Sequence, residues 1–368
     1  MSAQPMRARI LLIASTAVIL VVGLLAVGTA SSFYSMREYG SNTKYLSDHV
    51  VRMLIGLGAA VFMSRRPSSF LKRAAIPVYI VSFVAVAATL ALAGSKFAPE
   101  VNGSTRWLDL GVRLLPSDLL RLGFVLTASL LISRETVDIR RFRGVAVIAS
   151  LALVPSVFTM LQPDLSGTAF TLAVMLVVLF VGGARFQHLA LLLLILLAFG
   201  ITAVLVRDDY QLDRIQAVFN GNSLEQEDNY QPIQARITLG SGGAFGRGLG
   251  QSRQKRGFLP EAHTDFILAV IGEESGFAGT FTVMVLFGVL FISALSITRS
   301  AGSTFDAIAG SGLTAILITG VMIHTLVNTG VIPVTGMPLP LVSWGGTSMV
   351  VNLICIGAVV SMAGRTSA

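Results

Sequence analysis

Residues 10–30 read ILLIASTAVILVVGLLAVGTA, twenty-one positions from Ile10 to Ala30 without a charge. As a helix rising 1.5 Å per residue this stretch is about 30 Å long, the thickness of a bilayer's hydrocarbon core. It follows Arg7 and Arg9, as the apolar core of a secretory leader would, but such cores run to only about 7–15 residues. A spanning helix that stays in the protein is therefore expected. Further apolar runs lie at about 47–64, 74–94, 117–133, 145–162, 165–184, 186–206, 266–297, 307–329 and 349–364. The fold class expected is an all-α integral membrane protein of about ten transmembrane helices. It forms one polytopic domain over 1–368, with one long extracytoplasmic loop, about 207–265, before the eighth helix.

Composition agrees. The chain is 54% hydrophobic and 12% charged, against about 25% charged in soluble domains, and its mean hydropathy is +0.77. A membrane β-barrel would alternate over about ten residues instead of running apolar throughout. Cys355 is the only cysteine, which excludes an internal disulfide or a cysteine metal site. The net charge of +8 does not point to nucleic acid. Its basic residues lie between membrane segments, where they set topology and attract anionic membrane lipids.

With the N-terminus inside, thirteen Lys and Arg fall in inner segments and five (Arg37, Lys44, Lys96, Arg106 and Arg113) in short outer loops. That asymmetry is the positive-inside pattern, and it puts both termini in the cytoplasm. The long loop falls outside although it carries seven basic residues; long segments cross largely regardless of charge.

Three polar blocks then share the outer side. The first is NGSTRWLDLG (102–111), running on to LPSDLLR (115–121). Pro116 suits a first helical turn and Asp118 its positive end. Asp118 and Arg121 fall on one face. Trp107 reads equally as an interfacial anchor. The second block joins YQPIQAR (230–236) to LGSGGAFGRGLGQSRQKRGFLPEAHTDF (239–266). Its six glycines between 240 and 250, with Arg236, Arg247, Arg253, Lys255 and Arg256, suit a phosphate or pyrophosphate held by backbone amides. The plainer alternative is a flexible loop docking on lipid headgroups. No Walker or dinucleotide pattern is present. The third block, VIPVTGMPLPLVSWGGTS (331–348), cannot form a regular helix. It is either an exterior loop or a re-entrant segment roofing a site.

Ionisable residues inside spans tend to pair or face a cavity. Asp48 and Arg52 can pair at i,i+4. Asp164 sits at a helix–helix turn, and His324 and Asn328 share a face. Glu273 and Glu274, roughly 12 Å along the helix from Asp265, read as structural partners. Asp265 itself opens a helix beside the basic loop, where a carboxylate can serve as general base or as ligand for a divalent cation. His263 is a candidate ligand or an ordinary hydrogen-bonding residue.

These blocks, with QPDLSGT (162–168) and GEESGFAG (272–279), resemble the SEDS family of shape, elongation, division and sporulation proteins, in order and over nearly the whole chain. Departures are Leu115 for a usual Gln, the Asp118–Arg121 pair for Glu–Lys, an added Ser166, Ala235 for Ser and Trp344 for Tyr. The PVTG stretch is closer to the FtsW branch and the short termini to RodA, with RodA the slightly preferred branch. The resemblance implies a peptidoglycan glycosyltransferase in the bacterial cytoplasmic (inner) membrane. It would polymerise lipid II, a disaccharide-peptide on undecaprenyl pyrophosphate, with a class B penicillin-binding protein transpeptidase as partner. Asp265 matches the family's essential aspartate. Arg236, Arg247 and Lys255 are implied to steady the departing pyrophosphate, while Arg106, Trp107 and Glu261 shape the site. Asp118, Arg121, Asp164, Glu273, Glu274 and Ser343 give support. No cofactor is required by this chemistry, though a divalent cation would fit. Two rival readings are a lipid II flippase and a non-catalytic scaffold for the transpeptidase.

Overall fold

The computed structural model describes residues 3–100, 103–206, 227–254 and 257–363. Every expected apolar run falls on a helix. In chain order the helices are α1 (Ala3–Tyr39), α2 (Lys44–Ser64), α3 (Ser68–Ala91), α4 (Pro116–Ser133), α5 (Phe142–Leu161) and α6 (Leu165–Val181). Then follow α7 (Phe186–Val206), α8 (Glu227–Ser241), α9 (Ile267–Arg299), α10 (Thr304–Asn328) and α11 (Thr347–Met362). Seven are long and apolar enough to cross a membrane, and Leu165–Val181, Phe186–Ala198 and Thr347–Met362 are shorter apolar helices. The chain is an all-α, multi-pass membrane protein. Its strands among the described residues are β1 (Leu108–Asp109) and β2 (Arg113–Leu114), a minimal antiparallel pair.

Local chemistry sets the ends. Pro116 occupies the first turn of α4, with Asp118 beside its positive terminus. Asp164 caps α6 by accepting from the Gly167 amide at 3.0 Å, and Ser303 caps α10 through the Asp306 amide at 3.1 Å. α4 and α10 stand at the centre, with most of their side chains buried. α3 turns apolar side chains outward, Val81 being 69% exposed, as lipid-facing positions should.

Lipid tails remove the hydrophobic drive between helices, so close packing of small residues has to hold the bundle. α2 meets α11 where a Cβ on Gly357 would lie 2.3 Å from the Ala60 carbonyl oxygen. α4 meets α3 where a Cβ on Gly123 would lie 2.7 Å from the Tyr79 Cα.

Three expectations need correcting. The polar loop expected over 207–265 contains helix α8, which packs on α9 and α10; its residues 207–226 lie outside those described. α9 is not continuous: Gly276, at φ 69° and ψ −167°, breaks it. Asp48 does not pair with Arg52 but with Lys44, at 2.9 Å, one turn before it.

Candidate active site

The segment before α9 turns on Glu261, whose φ of 51° is uncommon for a residue with a Cβ. Its carbonyl accepts from the amides of Thr264 at 3.1 Å and Asp265 at 3.0 Å, and its carboxylate accepts from the Thr264 hydroxyl at 2.8 Å. Asp265 is thereby fixed two residues ahead of α9. From the other side Asn328, at the end of α10, donates to the Asp265 carbonyl at 2.9 Å and accepts from the Ala269 amide at 3.1 Å. The sequence marked Asn328 only as sharing a face with His324; an amide closing an otherwise apolar helix was the available signal.

A third element completes the frame. Residues 331–346 carry no helix, and Leu339, Leu341 and Val342 are buried. The Leu341–Val342 backbone lies so near Gly23 of α1 that a Cβ there would come within 2.8 Å of the Leu341 oxygen. The segment thus folds back into the bundle. Irregular backbone is tolerated at such depth because protein surrounds it. Ser343 ties it to the Asp265 segment, donating to the Thr264 carbonyl at 2.6 Å and accepting from the Leu339 amide at 2.8 Å. The Trp344 amide donates to the His263 carbonyl at 3.0 Å, and His324 Nδ1 donates to the Met337 carbonyl at 2.9 Å. Replacing Ser343 by Ala strands a buried amide and carbonyl, which costs about 1–3 kcal/mol. The variant is expected to melt several degrees lower in detergent than wild type; an unchanged melting temperature would remove Ser343 from the frame.

Arg106 reaches the same place from the first outer block. A Cβ on Gly336 would lie 3.0 Å from Arg106 Nη2 and 3.8 Å from Asp265 Oδ2, so guanidinium and carboxylate flank one glycine. Arg106 is steadied by Asp164 at 3.1 Å, and its enclosed Nε has no protein hydrogen-bond partner. Burial pushes the Asp265 pKa up to about 7, with Glu261 adding to the rise and Arg106 and the Thr264 hydroxyl opposing it. His263 is buried among Tyr34, Tyr45 and Trp344. Burial holds it below the usual histidine range, against Glu261 and Glu38, so it is a neutral packing residue.

Of the other expected site residues, Arg236 is exposed on α8 and its side chain lies across Gly330, two residues from Asn328. Trp107 is half-buried just before β1, and Asp118 and Arg121 form a buried ion pair with the guanidinium 4.3 Å over Phe170. Lys255 lies outside the described residues.

Two amides of the glycine-rich loop serve the break in α9. Arg247 and Gly248 donate to the carbonyls of Glu273 and Glu274, both at 2.9 Å, while Phe277 and Ala278 donate to Gly243 at 2.9 Å and Ala244 at 3.0 Å. Helix interruption orphans such groups, and the loop supplies their partners. Arg247 is drawn to this work: its guanidinium lies 3.4 Å from Glu273. Glu273 also accepts from the Ser252 hydroxyl at 2.5 Å, and Glu274 from Thr29 at 3.0 Å. Both acids are buried and hydrogen-bonded within the bundle.

Among the described residues no three His, Cys, Asp or Glu side chains gather as metal ligands. Asp265 has a cation, not a second carboxylate, across Gly336. That donor set forms no protein cage for a divalent ion.

At one end of the polytopic helical bundle the Asp265 carboxyl, its pKa raised, faces Arg106. The FtsW/RodA/SpoVE family, described as cell cycle proteins, matches residues 9–368, and the chain belongs to that family. A probable peptidoglycan glycosyltransferase FtsW of Hahella chejuensis is 30% identical over 358 residues, covering 96% of this chain and 89% of that protein. Stage V sporulation protein E of Bacillus subtilis is 30% identical, covering 96% of each. The solved structure described as "Structural coordination of polymerization and crosslinking by a peptidoglycan synthase complex" superposes with a TM-score of 0.79 at 28% identity, over 95% of this chain and 96% of that one. Rod shape determining protein RodA of Thermus thermophilus does so at 0.71 and 26% identity, over 97% of both. The likeness extends across the family's branches.

Proposed function

We propose that this chain polymerises lipid II into peptidoglycan glycan strands at the outer face of the bacterial cytoplasmic membrane, with both termini in the cytoplasm and Asp265 as general base. The chain is a peptidoglycan glycosyltransferase of its family. The observation that carries the assignment of the base is the Asp265 carboxylate with Arg106 across Gly336, braced by Asn328, Ser343 and Glu261. Asp265 takes the proton of the acceptor's sugar 4-hydroxyl as that oxygen attacks the donor's anomeric carbon. The bond from that carbon to the diphosphate breaks, the electron pair leaves with the diphosphate, and the configuration inverts from α to β in one displacement. Arg106, with Arg236 nearby, stabilises the charge that develops on the leaving oxygens. Arg247 is left out of this role because its guanidinium is engaged by Glu273. A class B penicillin-binding protein transpeptidase is the partner that would cross-link the product.

A base with a pKa near 7 is matched to a neutral medium. Polymerisation is expected to rise with pH through about 7 and level off above it, since only the ionised carboxylate accepts the proton. Glu261→Gln removes a negative charge that holds this pKa up, so its profile should move to lower pH. A profile that stays in place, or moves up, would exclude Asp265 as the titrating base.

A further inference from the structure

Arg52 is a charge at membrane depth that feels Asp48 one turn away without being bonded to it. It lies on α2, two turns in from Lys44, and its guanidinium sits 4.3 Å over the Trp344 ring. It makes no salt bridge with any described residue, and Nη1 is enclosed without a hydrogen-bond partner. Asp48, one turn away, is held by Lys44 at 2.9 Å. Trp344 Nε1 is also enclosed and unpartnered, and so are both ring nitrogens of His49, one turn before Arg52 and 0% exposed. Arg52 as a whole is only half-buried. Charges in membrane segments ordinarily pair with one another or mark a substrate path. Here polar atoms without a partner among the described residues gather around a cation, and an anionic ligand would satisfy it.

The place of this cluster narrows the ligand. Trp344 packs on His263, with ring centroids 5.7 Å apart, and its amide is bonded to the His263 carbonyl, two residues before Asp265. Arg106 faces Asp265 from the Gly336 side and Arg52 stands on the Trp344 side. The reaction proposed above joins two sugars that each carry a lipid diphosphate. The donor's diphosphate leaves from the carbon under attack, so it must lie beside Asp265, where Arg106 is. The acceptor's diphosphate stays bonded, at the opposite end of its disaccharide from the attacking hydroxyl. It needs a second cation, apart from the one beside the base.

We propose that Arg52, stacked on Trp344 and backed by His49, is the subsite for the acceptor's diphosphate. The ligand is a polyprenyl diphosphate whose oxygens accept from the planar guanidinium, a geometry that lysine cannot reproduce. This inference rests on the functional reading above, and the test separates the two.

Undecaprenyl pyrophosphate and phosphatidylglycerol are the probes, titrated separately by native mass spectrometry onto Asp265→Asn protein in detergent, with and without Arg52→Gln. Arg52→Gln is expected to weaken undecaprenyl pyrophosphate roughly tenfold, the loss of a charge-assisted bond, and to leave phosphatidylglycerol unchanged. In an otherwise wild-type chain it should raise the KM for lipid II by a similar factor and hold kcat within about twofold, as for binding common to ground and transition states. If Arg52→Gln does not fold, Arg52→Lys carries the same test and should show a smaller loss of diphosphate lipid. Undiminished binding of the diphosphate lipid overturns the subsite, and so does an equal loss of both lipids, which marks a general headgroup contact. If instead the wild-type chain makes no polymer, the functional reading has failed, whatever Arg52 binds.

Discussion

Asp265→Asn is expected to lower the polymerisation rate by a factor of about 10²–10⁴, the range that a positioned general base contributes, while folding as wild type does. The change keeps the side chain's size. The anchoring bonds in the frame run through the backbone: Asn328 to the Asp265 carbonyl, Ser343 to the Thr264 carbonyl, and the Asp265 amide to Glu261. None depends on the carboxylate. A structural role for Asp265 would make stability and rate fall together; a base loses rate alone. Asp265→Glu sharpens the distinction. It keeps the acid but moves it by one methylene, and misplacement on that scale costs about 10²-fold. Lipid II turnover and detergent melting curves on the three proteins read both quantities.

The second large effect is structural. Gly276→Ala places a Cβ 2.4 Å from the Gly246 nitrogen and 2.6 Å from the Phe245 nitrogen, at φ 69° and ψ −167°. That conformation is essentially confined to glycine, and forcing another residue into it costs about 1–3 kcal/mol before any overlap is counted. The neighbours are main-chain atoms on the loop bonded to Glu273 and Glu274, so they cannot yield without losing those hydrogen bonds. The variant is expected to lose at least about 3 kcal/mol and to be recovered poorly folded. Gly288, in the same helix, has nothing within 4 Å of its Cβ position. Gly288→Ala should be neutral or stabilising by up to about 1 kcal/mol. A pair of variants with equal melting temperatures would contradict the role given to the helix break.

The spans were legible because hydrocarbon leaves few solutions: runs such as Ile10–Ala30 must be helical to satisfy their backbone. The pairing of Asp118 with Arg121 and the interior roles of Glu273 and Glu274 were legible for a related reason, since charges at depth need partners. Helix α8 was hidden by its polar composition and by Pro232 within it; packing against α9 and α10, rather than its own pattern, holds it. A run of glycines reports only that some backbone comes close. Whether that backbone belongs to a phosphate or to the broken helix at Gly276 is a tertiary fact. The same holds for Arg52, whose i,i+4 spacing from Asp48 suggested a partner that Lys44 holds instead. Asp265 stood out in the sequence by its position, but the arginine across Gly336 and the brace from Asn328 come from segments 159 and 63 residues away, a separation no local pattern reports (159 from residues 106 and 265, 63 from 265 and 328).

The most direct test is to reconstitute the wild-type chain with the transpeptidase proposed as its partner, the latter blocked by a β-lactam, in liposomes holding lipid II and no other polymerase. The account predicts uncrosslinked glycan strands from wild type and none from Asp265→Asn. Transfer of labelled lipid II between leaflets without any strand, or strands formed equally well by Asp265→Asn, would contradict it.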